Sequence, residues 1–401
     1  MIGTQFTITA VGLEIYRVTQ STLAVGAVGA WALIPTVVMG LYGGAMADQF
    51  DRRKVALIAT LLAWAAVLGL VAQAYLHLDN VWLLYVLVAV HAGANSVNSP
   101  ARSAMLPRLV APELLPAANA LRSLIQTAAV MVGPMLGAVT VSALGYGATY
   151  TVDAITFTAA LYAIWRLPPM KPLPSDDAGP RVTGWRSVGQ GLAFLATRPN
   201  LRMTFLADFC AMILALPRAV FPAVGAIWIG GGVTTAGLLA TFMAVGATIA
   251  SVLSGPLGKV LRQGRAVVVS VWLWGVAVAG FGLVLFAVGR GQRDGVVLWA
   301  LILAGLALAL AGAADTISMI LRNTIMMDAT PDQLRGRLQG VFIVVVTGGP
   351  RVGDMVTGFD SRIFGEHWAV LIGGVACVAA MAGLIAWQRG LWRYDARHPE
   401  P

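Results

Sequence analysis

The stretch GGAMADQFDRRK, residues 43–54, closes one long apolar run and opens the next, and SGPLGKVLRQGR, residues 254–265, answers it later in the chain. A second pair is GPMLGA (133–138) with GPRVGD (349–354). Between them, ARSAMLPRLVAPELL (101–115) matches LRNTIMMDATPDQL (321–334), which aligns Arg102 with Arg322 and Pro112 with Pro331. The matches keep their order at offsets of about 210 to 220 residues, the behaviour of duplicated halves. The chain is read outward from this repeat as two related halves.

Composition supplies the solvent. The chain is 58% hydrophobic and 11% charged with mean hydropathy +0.79, whereas roughly a quarter of residues are charged in soluble domains. It therefore needs lipid, and its apolar runs must be helices, because backbone polar groups inside a bilayer have to be satisfied within each segment. At about 20 residues per span the runs number about 12. They lie near Ile2–Tyr16, Leu23–Ala47, Val55–Tyr75, Val81–Ser99, Ala117–Leu144, Thr149–Trp165, Leu201–Val220, Val233–Leu257, Ala266–Val288, Val296–Leu321, Leu338–Val356 and Trp368–Trp387. The expectation is an all-α membrane protein of two six-helix halves, residues 1–166 and 200–390. A loop at 167–199, holding PPMKPLPSDDAGP and a candidate helix Trp185–Ala196, would join them, and 391–401 would form a tail.

Charge gives the orientation. About 21 of the 27 Lys and Arg fall on one side of this arrangement, which the positive-inside rule makes cytoplasmic, with both termini there. The net charge of +9 is then a topology and anionic-lipid signal rather than a nucleic-acid patch. Cys210 and Cys377 both lie in apolar runs and read as small core residues, neither a disulfide nor a metal site. No cleavable signal peptide is expected, since Met1–Tyr16 lacks a basic start and a small-residue cleavage site. No G-x-x-x-x-G-K-[ST] loop occurs, so ATP drive is disfavoured, and no cofactor is expected. The first span holds only about 15 residues, ~22 Å of helix against a ~30 Å core. Either a start upstream of Met1 or an impaired first helix is expected.

Within 43–54, Gly44, Asp48, Arg52 and Arg53 place a close-approach glycine, an acid and a basic cluster at the membrane edge. Such a group forms a latch, the acid accepting N–H bonds from a neighbouring helix end and pairing with Arg. This stretch resembles motif A of the major facilitator superfamily, with Gln49 and Asp51 as departures. Gly133, Pro134 and Gly137 resemble that superfamily's motif C, associated with antiport and export, and mid-helix Gly-Pro permits a bend and close packing. PARSAMLPRLV, LPRAVFPAV and TPDQLRGRLQGVF are similar to the branch of siderophore and drug exporters. The resemblance implies twelve helices in a bacterial inner membrane, a central cavity lined by helices 1, 4, 7 and 10, and proton-coupled efflux of an amphipathic small molecule by a monomer. The superfamily's usual motif B arginine has no clear counterpart in the fourth span.

Ionisable groups inside spans are costly and mark function by default. His91, Asn95, Asn98 and Arg102 follow one face of the fourth span, at i, i+4, i+7 and i+11, a face expected to meet water. Asp315, Ser318 and Arg322 hold the corresponding positions in the tenth. Asp315 and His91 are read as proton-coupling candidates, a structural histidine being the alternative for His91. Asp208, on a helix that lines the cavity in the resembled fold, joins them. Arg102 and Arg322 are read as anchoring or pairing residues, Asp153 as bonded to a neighbouring helix, and Arg351 with Asp354 as an i, i+3 ion pair. Glu14 is a minor addition. Competing readings are a lysophospholipid transporter, a transport-inactive sensor or scaffold and, least favoured, a membrane enzyme, for which no nucleophile or metal motif lies beside the embedded charges.

Overall fold

The computed structural model describes residues 2–170, 189, 193–291, 293, 295–330, 332–395 and 397. Side chains are described at these positions except 2, 41, 43–45, 47–49, 259, 332–337, 339–341 and 343. Most of the candidate helix Trp185–Ala196 lies outside the described residues; 193–197 is helical.

The helices in chain order are α1 (Ile2–Thr19), α2 (Thr22–Gln49), α3 (Arg52–Tyr75), α4 (Val81–Leu109), α5 (115–144), α6 (146–165), α7 (Pro199–Leu214), α8 (Gly232–Val252), α9 (Gln263–Val288), α10 (Leu298–Asp328), α11 (Asp332–Phe364) and α12 (Glu366–Trp387). The helical run Leu115–Trp165 is broken at Gly145, whose φ of 82° and ψ of 175° only glycine adopts without strain. Nine helices among the described residues are long and apolar enough to cross a membrane. The run containing both α5 and α6 is one of these, while α1 and α11 lie outside the nine and carry embedded polar residues such as Glu14 and Asp354. Separating α5 from α6 and adding α1 and α11 gives the count of about 12 expected from span length.

Two compact units divide the chain, residues 1–18 with 30–187 and residues 19–29 with 188–401. In the first, α3 shows the packing logic of a lipid-solvated helix. Its buried face is Ala56, Ala59, Ala63, Val67 and Leu70, while Ile58, Leu61, Leu62 and Leu68 are exposed. The protein-facing side is dominated by alanines and the outward side by large residues, because lipid already solvates bulky chains and helices gain by close approach. Around that face Val97, Ala101 and Met105 of α4 and Ile164 of α6 complete one cluster, and Ala94, Ala154 and Phe157 another.

The second unit packs by the same rule. A Cβ on Gly246 of α8 would strike the backbone of Ala309 of α10, and one on Gly312 of α10 the backbone of Met243. Bulk is buried as well, as at Trp274, Phe281 and Leu285 of α9, which are fully buried. The start of α2 belongs here too: the buried Thr22 hydroxyl donates to the Glu366 carboxylate at 3.0 Å, and Gly26 and Gly29 lie against the backbone of Asp354 and Arg351. Cys210 and Cys377 are free and buried.

Candidate functional site

At the start of α3, Asp51 accepts from its own helix at Arg53 N (3.0 Å) and from Met170 N (3.1 Å), so the residue that departs from motif A caps α3 and tethers the chain leaving α6. Arg52 donates to the Ala104 carbonyl near the end of α4 at 3.0 Å. Arg53 reaches the last turn of α6, donating to Ile164 O at 3.4 Å and to Trp165 O. The two arginines therefore bring positive charge close to the C-terminal ends of two helices, where the helix dipole favours it. At Gly44 and Asp48 only helical backbone is described; the latch expected of Asp48 lies outside the described residues.

Motif C and its repeat occupy equivalent places. Gly133 and Gly137 seat α5 against Gln5 and Phe6 of α1. Gly349 and Gly353 seat α11 against Met212 of α7, where a Cβ on Gly353 would strike the Met212 backbone. Pro134 and Pro350 each follow the first glycine of the pair inside their helices. Each frees a backbone carbonyl one turn back and favours a bend.

Along α4 the expected wet face is largely closed. His91 and Asn98 are buried, Asn95 is half-buried and only Arg102 is exposed. The His91 ring meets the Phe157 ring of α6 edge-on, with centroids 5.7 Å apart. The stripe at helical spacing is real, but the α6 aromatic covers its upper part, which corrects the expectation of a water-facing stripe.

The first unit also contains two polar rungs between α1 and α6. Thr7 donates to Asp153 Oδ2 at 2.6 Å, and Thr156 to Asp153 Oδ1 at 3.2 Å, with Asp153 fully buried. Two turns further along α1, the Tyr150 hydroxyl donates to Glu14 at 2.6 Å, and both residues are buried. Both acids are thus held by neutral hydroxyl donors.

The second unit brings three candidates together. Arg322 of α10 pairs with Asp208 Oδ1 of α7, and its other terminal nitrogen lies 3.9 Å from Asp315 Oδ1. Its Nε donates to the Ser318 carbonyl at 3.4 Å. The side chains of Arg322 and Asp208 are 3% and 5% exposed, that of Asp315 31%. Asp208 Oδ2 and the buried Ser318 Oγ have no hydrogen-bond partner among the described residues. Thr204, Phe205, Phe342 and Val345 line a narrow crevice onto Asp208 and Arg322. Two carboxylates share one guanidinium, tightly at Asp208 and loosely at Asp315.

The expected i, i+3 pair of Arg351 with Asp354 is corrected. Asp354 instead accepts from Arg218 Nη2 at 2.6 Å. Arg218 stands in the short turn Arg218–Val220 just past α7, and the break there swings it to face α11. The break is itself stabilised, the Thr357 hydroxyl donating to Leu216 O at 2.8 Å. Arg218, Thr7 and Tyr150 are site residues that the spacing arguments did not single out. A lone arginine within an apolar run was the available signal for Arg218; threonine and tyrosine in spans give none.

The chain matches the model of the transmembrane secretion effector family over residues 2–399. The enterobactin exporter EntS of Citrobacter koseri is 27% identical over 349 residues, 87% of this chain and 79% of that protein. The enterobactin exporter of Escherichia coli is 26% identical over 355 residues, with the same shares covered. Among solved structures, the nucleoside transporter NupG superposes with a TM-score of 0.72 at 12% identity, covering 98% of this chain and 97% of that one. A D-xylose–proton symporter gives 0.68 at 14%, covering 96% and 95%, and a bacterial homologue of the iron transporter ferroportin 0.67 at 18%, with the same shares. These likenesses carry the fold alone. Together with the family match, the helical architecture and the repeated glycine seats lead to one statement: the chain belongs to the transmembrane secretion effector family of the major facilitator superfamily, a multi-pass membrane transporter of the branch that includes the enterobactin exporters.

Proposed function

We propose that the protein is a proton-driven exporter of an amphipathic small molecule, a siderophore or drug-like compound, acting as a monomer in a bacterial inner membrane with both termini in the cytoplasm. The single observation that carries the reading is the shared guanidinium of Arg322. Asp208, tightly bound and buried, is the fixed counter-ion. Asp315, at 3.9 Å and 31% exposed, is the carboxylate free to exchange a proton and so to be held or released by Arg322. A carboxylate whose charge alternates beside a fixed cation biases two arrangements of the helices that bear it, which is what coupling requires. His91 remains a second coupling candidate on α4. The export direction is supported by the motif C glycine seats and by the relatives named as exporters.

The test uses full-length protein in proteoliposomes with enterobactin as probe. An imposed proton gradient drives its accumulation, and Asp315→Asn is expected to abolish this while leaving downhill exchange of enterobactin intact. Gradient-driven accumulation that survives Asp315→Asn rejects the assignment of that residue; absence of proton dependence in the unaltered protein rejects proton drive.

A further inference from the structure

Among the described residues, a cluster of the second unit holds one cation more than it has acids. Arg218 and Asp354 satisfy each other across α7 and α11, at side-chain exposures of 49% and 14%. Arg351, one turn before Asp354, lies within electrostatic reach of both, yet forms no hydrogen bond or ion pair among the described residues. Even the free oxygen of Asp354, Oδ1, is buried without a hydrogen bond rather than given to Arg351. Two guanidinium groups and one carboxylate leave the cluster one positive charge over.

Its depth makes this costly. Arg351 stands about 28 Å along a helix of about 50 Å, so it lies at membrane depth, where an ionisable side chain needs a partner. Helix packing does not demand it. The repeat aligns GPRVGD with GPMLGA, placing Met135 opposite Arg351 and Ala138 opposite Asp354. Both copies seat their helix through the same two glycines, so α5 achieves with uncharged residues what α11 does with charges. Arg351 is half-buried, and its neighbour Arg218 is open on one side. Guanidinium groups arranged this way suit a carboxylate, sulfonate, phosphate or phenolate oxygen, bound by charge-assisted hydrogen bonds.

We propose that Arg351, with Arg218 beside it, forms an anion subsite in the membrane, taking the anionic group of an amphipathic solute or of a lipid headgroup. Where the anion is the exported compound's, the proposal deepens the export reading and rests on it by giving the solute a negative charge. The subsite itself is a matter of binding and does not depend on the coupling assigned to Asp315.

The test measures equilibrium binding to the full chain in phosphatidylcholine nanodiscs by energy transfer from tryptophan. Two probes share one skeleton: anilinonaphthalene sulfonate, which is anionic, and phenylnaphthylamine, which is uncharged. Arg351→Gln is expected to weaken the sulfonate by about tenfold, the scale of one charge-assisted contact, and to leave the neutral probe within about twofold. Arg351→Lys, which keeps the charge, restores most of the sulfonate affinity and guards against a folding defect. Equal effects on the two probes, or none on either, overturn the proposal without touching proton drive. Doping the discs with phosphatidylglycerol separates the sources. Competition with the sulfonate in the unaltered protein, absent in Arg351→Gln, identifies a lipid headgroup as occupant; no competition identifies a dissolved anion.

Discussion

Removing the carboxylate of Asp208 while keeping its shape, as in Asp208→Asn, strands Arg322, whose side chain is only 3% exposed. Breaking a buried ion pair by deleting one partner costs about 3–5 kcal/mol. Asp315 offers partial relief. At 3.9 Å a bare charge pair is worth about 4 kcal/mol at an effective dielectric of about 20, but Asp315 is 31% exposed, and solvent screening reduces such a contact to roughly 1 kcal/mol. Asp208→Asn should therefore lose about 2–4 kcal/mol, Asp315→Asn about 1 kcal/mol or less, and Arg322→Gln about as much as Asp208→Asn. In the double variant Asp208→Asn/Arg322→Gln no charge is left stranded at that contact, so its loss should fall short of the sum by at least about 2 kcal/mol. Equilibrium unfolding in mixed micelles, followed by tryptophan fluorescence, measures all four. Additivity to within about 0.5 kcal/mol would refute a buried pair between Asp208 and Arg322.

Tyr150→Phe keeps the ring but deprives the buried Glu14 carboxyl of its 2.6 Å donor; the same unfolding assay should show a loss of about 1–3 kcal/mol, partly recovered by adding Glu14→Leu. A change under about 0.5 kcal/mol would show that Glu14 does not depend on that hydroxyl. Asp51→Ala removes an N-cap and the tether to Met170 together. It should cost about 1–2 kcal/mol and speed amide hydrogen exchange at Met170, whereas unchanged exchange there would mean that the Asp51 bond is not what holds Met170.

What the sequence disclosed follows from what is local. Apolar length and the six-plus-six repeat are properties of consecutive residues, and they led to the helical count and to the equivalence of Gly133 with Gly349. The embedded charges were visible one by one. Their partners were not, because a side chain at membrane depth pairs across helices far apart in the chain: Asp208 with Arg322, Asp354 with Arg218, Glu14 with Tyr150. The i, i+3 rule ranked Arg351 first for Asp354 because it considers one helix only, and the break after Leu214 that brings Arg218 across is a tertiary fact. The stripe from His91 to Arg102 was found by period, but no periodicity says that Phe157 covers His91. Asp51 departs from the family pattern, and only the folded structure shows why an acid suits the position: its oxygen accepts two N–H groups.

The two arginines at the start of α3 have a mechanical consequence. Arg52 and Arg53 donate to carbonyls near the ends of α4 and α6, and Asp51 just before them ties down the chain leaving α6. Three rods are thereby pinned at one end like the ribs of a fan. Whatever load reaches the tip of one is shared by the other two, and sliding one past its neighbours would require several polar contacts to let go in the same instant. The basic patch thus acts as a rivet, making these three rods the part of the first unit best suited to turn as a block.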